Sequence, residues 1–194
     1  MAIVAAGLMP AASTLAQVPA SRTDAQTMKR KVAAIAARGE RPTTEGQRTT
    51  VTESEVNSYL AYELGGDLPT GVMDPSVSAI GPGILSGRAV VDLDAVRKAG
   101  GNSTGLFDLR SYLTGHVPVT ATGVLRTSNG RARFELQSAS VGGVPIPKSL
   151  LQQIVAYYSK SPGKPGGISL DEEFDLPARI REIQVERSQA IIVQ

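Results

Sequence analysis

The sequence predicts an α+β protein in which a long, curved antiparallel β-sheet packs on or wraps around an amphipathic helix, with additional N-terminal helices. Apolar residues alternate along 117–125 and again along 132–136, which is the period of strands with one buried face. Asn129 and Gly130 separate the two runs, and both tolerate the positive φ of a type I′ hairpin turn. Apolar residues then recur at helical spacing within 148–160, which predicts the amphipathic helix.

The composition excludes several classes of protein. The 194 residues suit one sizeable domain. A net charge of +2 and an aromatic content of 4%, with no Trp, supply little phosphate attraction and few stacking platforms. We therefore expect no nucleic-acid partner. The absence of Cys excludes disulfides, thiolate metal sites and cysteine nucleophiles.

Residues 1–17 contain no charged residue and end in small side chains, a pattern typical of the apolar and cleavage regions of a secretory signal peptide. The positive segment that normally precedes the apolar region is missing, so the signal is incomplete. Cleavage is expected near Ala16. This pattern predicts a periplasmic or otherwise exported protein, and a cytoplasmic protein with a helical N-terminus is the alternative. No later stretch approaches the length of a membrane span.

The next segment, 22–46, predicts a helix and a polar linker before a single α+β domain at 47–194. Thr23 or Asp24 is the expected helix cap, and Gly39 is the expected end. The basic triplet Lys29 to Lys31 is either a solvated helix face or a contact for a partner or membrane surface.

A short helix is predicted after Thr52, because Thr52 and Glu55 have the spacing of a capping box. Gly65 is the expected left-handed stop, and Asn57 is expected on the polar side. The predicted buried face is apolar and consists of Val56, Tyr59, Leu60 and Leu64.

A second hairpin is predicted around Gly81 and Gly83, with a strand from Asp74 and another over 84–93. Asp92 and Asp94 are near enough to share a cation, but the further oxygen ligands of a calcium loop are missing, so we predict no metal site. We expect a loop over 98–104 and a short helix or turn over 106–113.

Three short strands are predicted at the end of the chain, over 168–174, 178–185 and 188–193, with a bulge near Arg181. The first carries the acidic cluster Asp171 to Asp175, in which paired carboxylates are the equipment of a glycosidase. Adjacent residues on a strand point to opposite faces, so a solvated strand is the simpler interpretation.

Catalytic and cofactor motifs are absent from the sequence. His116 is the only histidine, and no Gly-x-Ser-x-Gly segment offers it a nucleophile. There is also no phosphate-binding or dinucleotide-binding loop. We therefore expect a non-catalytic protein without a cofactor.

Two segments resemble tubular lipid-binding modules of the TULIP or BPI-like kind, in an uncharacterised bacterial envelope form. They are Thr52-Glu-Ser-Glu-Val-Asn-Ser-Tyr-Leu60 and Gly142-Gly-Val-Pro-Ile-Pro-Lys-Ser-Leu-Leu151, and the resemblance covers about 47–194. It implies a bent sheet around a helix with an apolar groove, and binding or transfer of lipid-like molecules in the periplasm. The resemblance brings no catalytic residues.

The leading functional prediction is a site for a lipid or another apolar small molecule between sheet and helix. An ordinary dry core is the competing interpretation of the same residues. The alternatives are an envelope scaffold that binds a protein partner through a sheet edge, and a hydrolase that uses the Asp171 to Asp175 acids. The candidate lining residues are apolar and lie on the hairpin and the later helix: Val117, Val119, Leu125, Phe134, Leu136, Leu151, Ile154, Val155 and Tyr158.

Overall fold

The computed structural model describes residues 19–41, 46–66, 68–99, 115–158, 165–167, 169–170 and 172–194. The protein is α+β, with an antiparallel six-stranded sheet and several helices, as predicted. The predicted signal peptide and the helix or turn over 106–113 lie outside the described residues. In chain order the elements are α1 (Arg22–Gly39), β1 (Arg48–Thr52), α2 (Glu53–Tyr62), β2 (Val72–Gly81), β3 (Ile84–Asp92), α3 (Leu93–Ala99), β4 (His116–Ser128), β5 (Arg131–Val141), β6 (Val144–Pro145), α4 (Lys148–Tyr158), β7 (Phe174–Asp175), β8 (Glu182–Glu186) and β9 (Gln189–Val193).

The six-stranded sheet has the order β2-β3-β4-β5-β6, and β7 pairs with the same edge of β5 as β6. The predicted β4–β5 hairpin is confirmed. Asn129 and Gly130 have φ values of 52° and 81°, which are the positive values that a type I′ turn requires.

One face of this sheet is apolar, because a bulge keeps the apolar residues of β5 in phase. Leu136 pairs with Gly123, whereas Ser138 pairs with Thr122, so Gln137 is the extra residue. The apolar face, defined by the register of β3, β4 and β5, contains Leu85, Gly87, Ala89, Val91, Val117, Val119, Ala121, Gly123, Leu125, Ala132, Phe134, Leu136, Ala139 and Val141.

The opposite face carries rows of hydroxyl groups. Thr120 Oγ1 lies 2.6 Å from Ser140 Oγ, and Thr122 Oγ1 donates to Ser86 Oγ at 2.9 Å. These cross-strand hydrogen bonds satisfy polar groups on a half-buried surface. The two faces of the sheet therefore differ sharply in polarity.

A three-stranded sheet of order β1-β9-β8 closes one end of the molecule. Its edge strand β8 crosses the ends of both hairpins. The amides of Gly83 and Gly130 donate to the carbonyls of Val185 and Arg181 at 3.0 and 2.9 Å. Thr127 Oγ1 accepts from the Ile183 amide at 2.9 Å and donates to its carbonyl at 3.1 Å. These bonds join the two sheets.

Helix α1 packs on α2 and on β1. The domain boundary predicted between residues 46 and 47 stays a prediction. Ser21 caps α1, two residues before the predicted Thr23 and three before the predicted Asp24. Gly39 is required because a Cβ there would lie 2.5 Å from the Cα of Ala178. The terminal core, our name for the packed apolar side chains at this end, comprises Ala25, Ile35, Val51, Ile180 and Val185, all of them buried.

Helix α2 has the predicted capping box between Thr52 and Glu55, but the prediction for its far end was wrong. The helix ends at Tyr62, and Gly65 does not have a positive φ. Glu63 instead caps the helix in an ordinary right-handed conformation.

The predicted buried face of α2 was also wrong: Val56, Tyr59, Leu60 and Leu64 are only half-buried. The buried residues are Glu55 and Ser58. Lys31 Nζ donates to Glu55 at 2.7 Å, and the Ser21 amide donates to Ser58 Oγ at 2.9 Å. Because α1 supplies polar partners, the polar side of α2 is the buried one.

Two boundaries in the middle of the chain differ from prediction. Strand β2 begins at Val72, before the expected Asp74, which instead has a φ of 47° at an irregularity of the ladder. Lys98 belongs to helix α3, not to a loop.

The C-terminal strands are shorter than predicted, and the expected bulge near Arg181 is a turn. Of the described residues in 168–174, only Phe174 is in a strand. Ala178 and Arg179 have positive φ values of 53° and 55°, and the Ile180 amide donates to the Pro177 carbonyl. This turn buries Ile180 before β8 begins, which explains why Ile180 is out of phase with the strand.

Candidate functional site

The structure places the five predicted lining residues of the hairpin on the apolar face. Val117 is buried there, and the others are half-buried: Val119, Leu125, Phe134 and Leu136. On α4, Leu151 is buried and Val155 is half-buried. The side chains of Ile154 and Tyr158 lie outside the described residues.

Helix α4 packs against β5. Its first turn is closed by the Pro147 carbonyl, which accepts from the amides of Leu150 and Leu151. On its other side, Gln152 Oε1 accepts from the Leu170 amide at 2.6 Å, and a side chain at Gly167 would collide with the carbonyl of Ala156. The segment that follows α4 is therefore held against the helix.

The apolar face is covered at Gly123. A Cβ at this position would lie 2.6 Å from Cζ of Phe134, its diagonal neighbour on β5. The phenyl ring thus lies over the glycine, an arrangement in which an aromatic ring fills the space that a side chain would take. This part of the face is closed.

The same face is open at Gly87. Gly87 pairs with Val77 on β2 and with Ala121 on β4, and Ala121 pairs with Ala139 on β5, so from β3 to β5 this row has minimal side chains. Apart from Gly87 and its two chain neighbours, no heavy atom of the described residues lies within 4 Å of the position that a Cβ at Gly87 would take. We call this position, with its half-buried neighbours Leu85, Ala89, Val119 and Ala121, the Gly87 site.

Of the residues in the Gly87 site, only Val119 was among the predicted lining residues, although Gly87 itself gave a sequence signal. An isolated Gly inside a strand marks a bulge or a close approach by another group. No bulge separates β3 from β4 at Gly87, so the glycine provides space and not a change in the course of the strand. Gly123 gives the same sequence signal. In the structure it differs from Gly87 because it lies beside the bulge at Gln137, and because the Glu135 carbonyl oxygen and the Phe134 ring take the space of a Cβ.

The polar groups that the sequence suggested for chemistry have structural partners. Asp92 Oδ1 accepts from the amides of Asp94 and Ala95 at 2.9 and 3.0 Å, and the Ala95 amide is the main cause of the lowered pKa of Asp92. His116 Nε2 lies 3.7 Å from Asp92 Oδ2. Asp92 thus caps α3, and among the described residues no group of three potential ligands could hold a metal ion.

The acidic cluster does not enclose a site in the described part of the chain. Glu173 and Asp175 lie 3.4 and 3.9 Å from Arg131 Nε, and the side chain of Asp175 is 93% exposed. The side chain of Asp171 lies outside the described residues. Glu173 and Asp175 therefore form solvent-exposed ion pairs with Arg131, which is the non-catalytic interpretation of these acids.

The basic triplet of α1 is partly engaged within the protein. Lys29 Nζ lies 2.6 Å from Glu63 Oε2, and this hydrogen bond raises the pKa of Lys29. Lys31 bonds Glu55 and the carbonyl of Thr50. Two of the three positive charges therefore serve contacts inside the fold.

Comparison with known proteins supplies no relative: no protein-family model matches the chain, and no curated protein matches its sequence. Within the described residues, none of the helices combines the length and the apolar character needed to cross a bilayer.

Proposed function

We propose that this protein binds an acyl chain or a similar apolar ligand on the apolar face, between the sheet and α4, without catalysing a reaction. The observation that supports this most directly is the space beside Gly87, in the middle of that face, that no side chain of the described residues fills. A dry core is packed to a density that leaves few voids, so an unfilled position at its centre favours an occupant.

The chemistry of the face favours an apolar occupant. Its middle rows present aliphatic side chains and glycines, and the hydroxyl groups point to the opposite face. An acyl chain laid across Ala121 and Val119 removes apolar surface from water, which contributes roughly 25 cal/mol per Å² buried. It requires no hydrogen-bond partner from the sheet.

We further propose that the ligand is encountered in the periplasm or elsewhere outside the cytoplasm. The support for this is the signal-like composition of residues 1–17. Palmitate is a suitable first probe, because it combines a long aliphatic chain with a single small head group.

Native mass spectrometry of the protein from a bacterial host, followed by organic extraction, tests the proposal. We expect a bound species of lipid mass that leaves on denaturation, or stoichiometric uptake of added palmitate by apo protein. An apo mass that stays unchanged with palmitate and with phospholipid would overturn the proposal and favour the dry core.

The substitution Gly87→Val locates the site. Because no described atom lies within 4 Å of the added Cβ, the variant should fold, and a β-branched residue suits a strand better than Gly. We expect palmitate uptake to fall at least tenfold, because the valine occupies the ligand's space.

Arg88→Thr is the matched control, since it changes the next residue on the opposite, exposed side of the same strand. It should leave uptake unchanged. Equal uptake by Gly87→Val and the unaltered protein would contradict the assignment of the ligand to the Gly87 site.

A further inference from the structure

The edge strands of the two sheets differ in how many of their outward backbone amides and carbonyls have hydrogen-bond partners. Asn57 closes β2 by bonding both the amide and the carbonyl of Val77 at 2.8 and 2.9 Å, and Glu53 accepts from the Ala79 amide. Lys31 donates to the Thr50 carbonyl on β1. The turns of the β2–β3 and β4–β5 hairpins occupy the outer edge at β8, where the amides of Gly83 and Gly130 donate to the carbonyls of Val185 and Arg181. Unpaired edges invite strand addition, and side chains that cap them prevent it.

Within the described residues, the edge of β5 is paired only at its two ends. Strand β7 pairs with Arg131 and Ala132, and β6 pairs with Ser140 and Val141. The Ile146 amide adds a hydrogen bond to the Ala139 carbonyl at 2.9 Å. A gap over 133–138 lies between these short strands.

The hydrogen-bonding groups in this gap belong to Phe134 and Leu136. Arg131 and Ser128 form the hydrogen-bonded pair that closes the two-residue turn. From Arg131 onward, the backbone amide and carbonyl of every second residue therefore bond β4, and those of the residues between them point away from β4. Ala132 bonds β7 in this way. In the described part of the chain, no hydrogen bond reaches the outward amides and carbonyls of Phe134 and Leu136.

We propose that the gap receives a short extended peptide of a partner protein, which adds a strand antiparallel to β5 between β6 and β7. This inference goes beyond ligand binding and does not depend on it. The β5 edge of a second copy does not fit into this gap, because the β6 and β7 strands of that copy flank the edge and would collide with those of the first copy. The bulge at Gln137 ends the regular edge and limits the pairing to Arg133 through Leu136.

Side chains on β5 define the chemistry of the peptide. Its alternate residues lie beside Phe134 and Leu136 and should be aliphatic. On the other face, Arg133 is exposed, has no ion pair among the described residues and lies opposite Arg126. An acidic residue should therefore lie beside Arg133, and a basic one beside Glu135.

A capped hexapeptide TVKVDT is the probe, and TVDVKT, with its charges exchanged, is the matched control. We expect saturable binding of TVKVDT, with amide chemical-shift changes centred on Phe134 and Leu136 and none at the capped edge residue Val77. The exchanged peptide should bind about tenfold more weakly, because two cross-strand charge pairs become repulsive.

The variant Arg133→Glu changes an exposed side chain and should not affect folding. It should remove most of the preference for TVKVDT, since a like charge then faces the peptide's aspartate. Absence of saturation, or shifts confined to other residues, would overturn the proposal. A concentration-dependent dimer that shifts the Phe134 and Leu136 amides without peptide would also overturn it. Palmitate uptake is measured separately, so the two proposals fail independently.

Discussion

The terminal core and the apolar face of the six-stranded sheet are both built largely from aliphatic residues, but the residues of the first are buried whereas the second is buried only in part. Ile35, Val51 and Val185 are 4 to 6% exposed, and two helices and a sheet surround them. On the apolar face, Leu85, Val119 and Leu136 remain half-buried. This difference indicates that side chains in the terminal core are more fully removed from water than those at the half-buried positions of the apolar face.

The largest expected effect on stability comes from a pair of truncations, Ile35→Ala in the terminal core and Leu85→Ala on the apolar face. A buried aliphatic residue reduced to Ala typically costs 2 to 5 kcal/mol, so we expect Ile35→Ala to lower the free energy of unfolding by about 3 kcal/mol. Leu85→Ala should cost about 1 kcal/mol, because less of its surface leaves water on folding. Urea denaturation of both variants measures the contrast, and equal losses would contradict it.

The two glycines of the apolar face sharpen the comparison. Gly123→Ala would drive a methyl group into the Phe134 ring and to 2.5 Å from the Glu135 carbonyl oxygen, and overpacking of this kind costs about 2 kcal/mol. Gly87→Ala meets no described atom within 4 Å and should be neutral or stabilise by about 0.5 kcal/mol, since Gly loses more conformational freedom on folding. Thermal unfolding of the two variants measures the difference in stability. A large loss of stability in Gly87→Ala would show that the space beside Gly87 is filled.

A third test concerns Glu55, the buried carboxylate that Lys31 of α1 contacts. Burial raises the pKa of Glu55, but the hydrogen bonds from Lys31 and from the Thr52 amide outweigh burial and hold the pKa below its ordinary 4.5. A carboxyl with a lowered folded-state pKa stabilises the protein above its unfolded pKa, and this contribution is lost as the pH falls through the folded value.

We therefore expect the free energy of unfolding to decrease below about pH 4.5, the ordinary value. Glu55→Gln should lower stability at pH 7 by about 1.5 kcal/mol and flatten the decline in acid, because the charge-assisted hydrogen bond is lost. Gln at a capping-box position still reaches the helix amide, which keeps the effect modest. An acid profile identical in the variant would show that other carboxylates control it.

Elements with local causes could be predicted from the sequence. The β4–β5 hairpin follows from Asn129, Gly130 and alternating apolar residues, and the start of α2 follows from Thr52 and Glu55. Helix α4 follows from its periodicity, and the structure describes it over Lys148–Tyr158, within the predicted 148–160. In each case residues a few positions apart supply the stabilising contact.

Features that depend on distant partners could not be predicted in this way. Burial of Glu55 and Ser58 requires Lys31 and Ser21 on another helix, so the apolar pattern of α2 pointed to the wrong face. Asn57 was expected on the polar side of α2, and the structure gives it a partner 20 residues away, where it closes a sheet edge. Sequence spacing carries no information about such contacts.

The sequence by itself determined the class of fold, the central hairpin and the residues that share the apolar face, because strand period and turn chemistry are local properties. Only the tertiary structure decided which parts of that face are covered. Gly87 and Gly123 are equivalent in the sequence pattern, and the Phe134 ring lies over one and not the other. Coverage depends on the packing of side chains between strands, and strand period does not encode it.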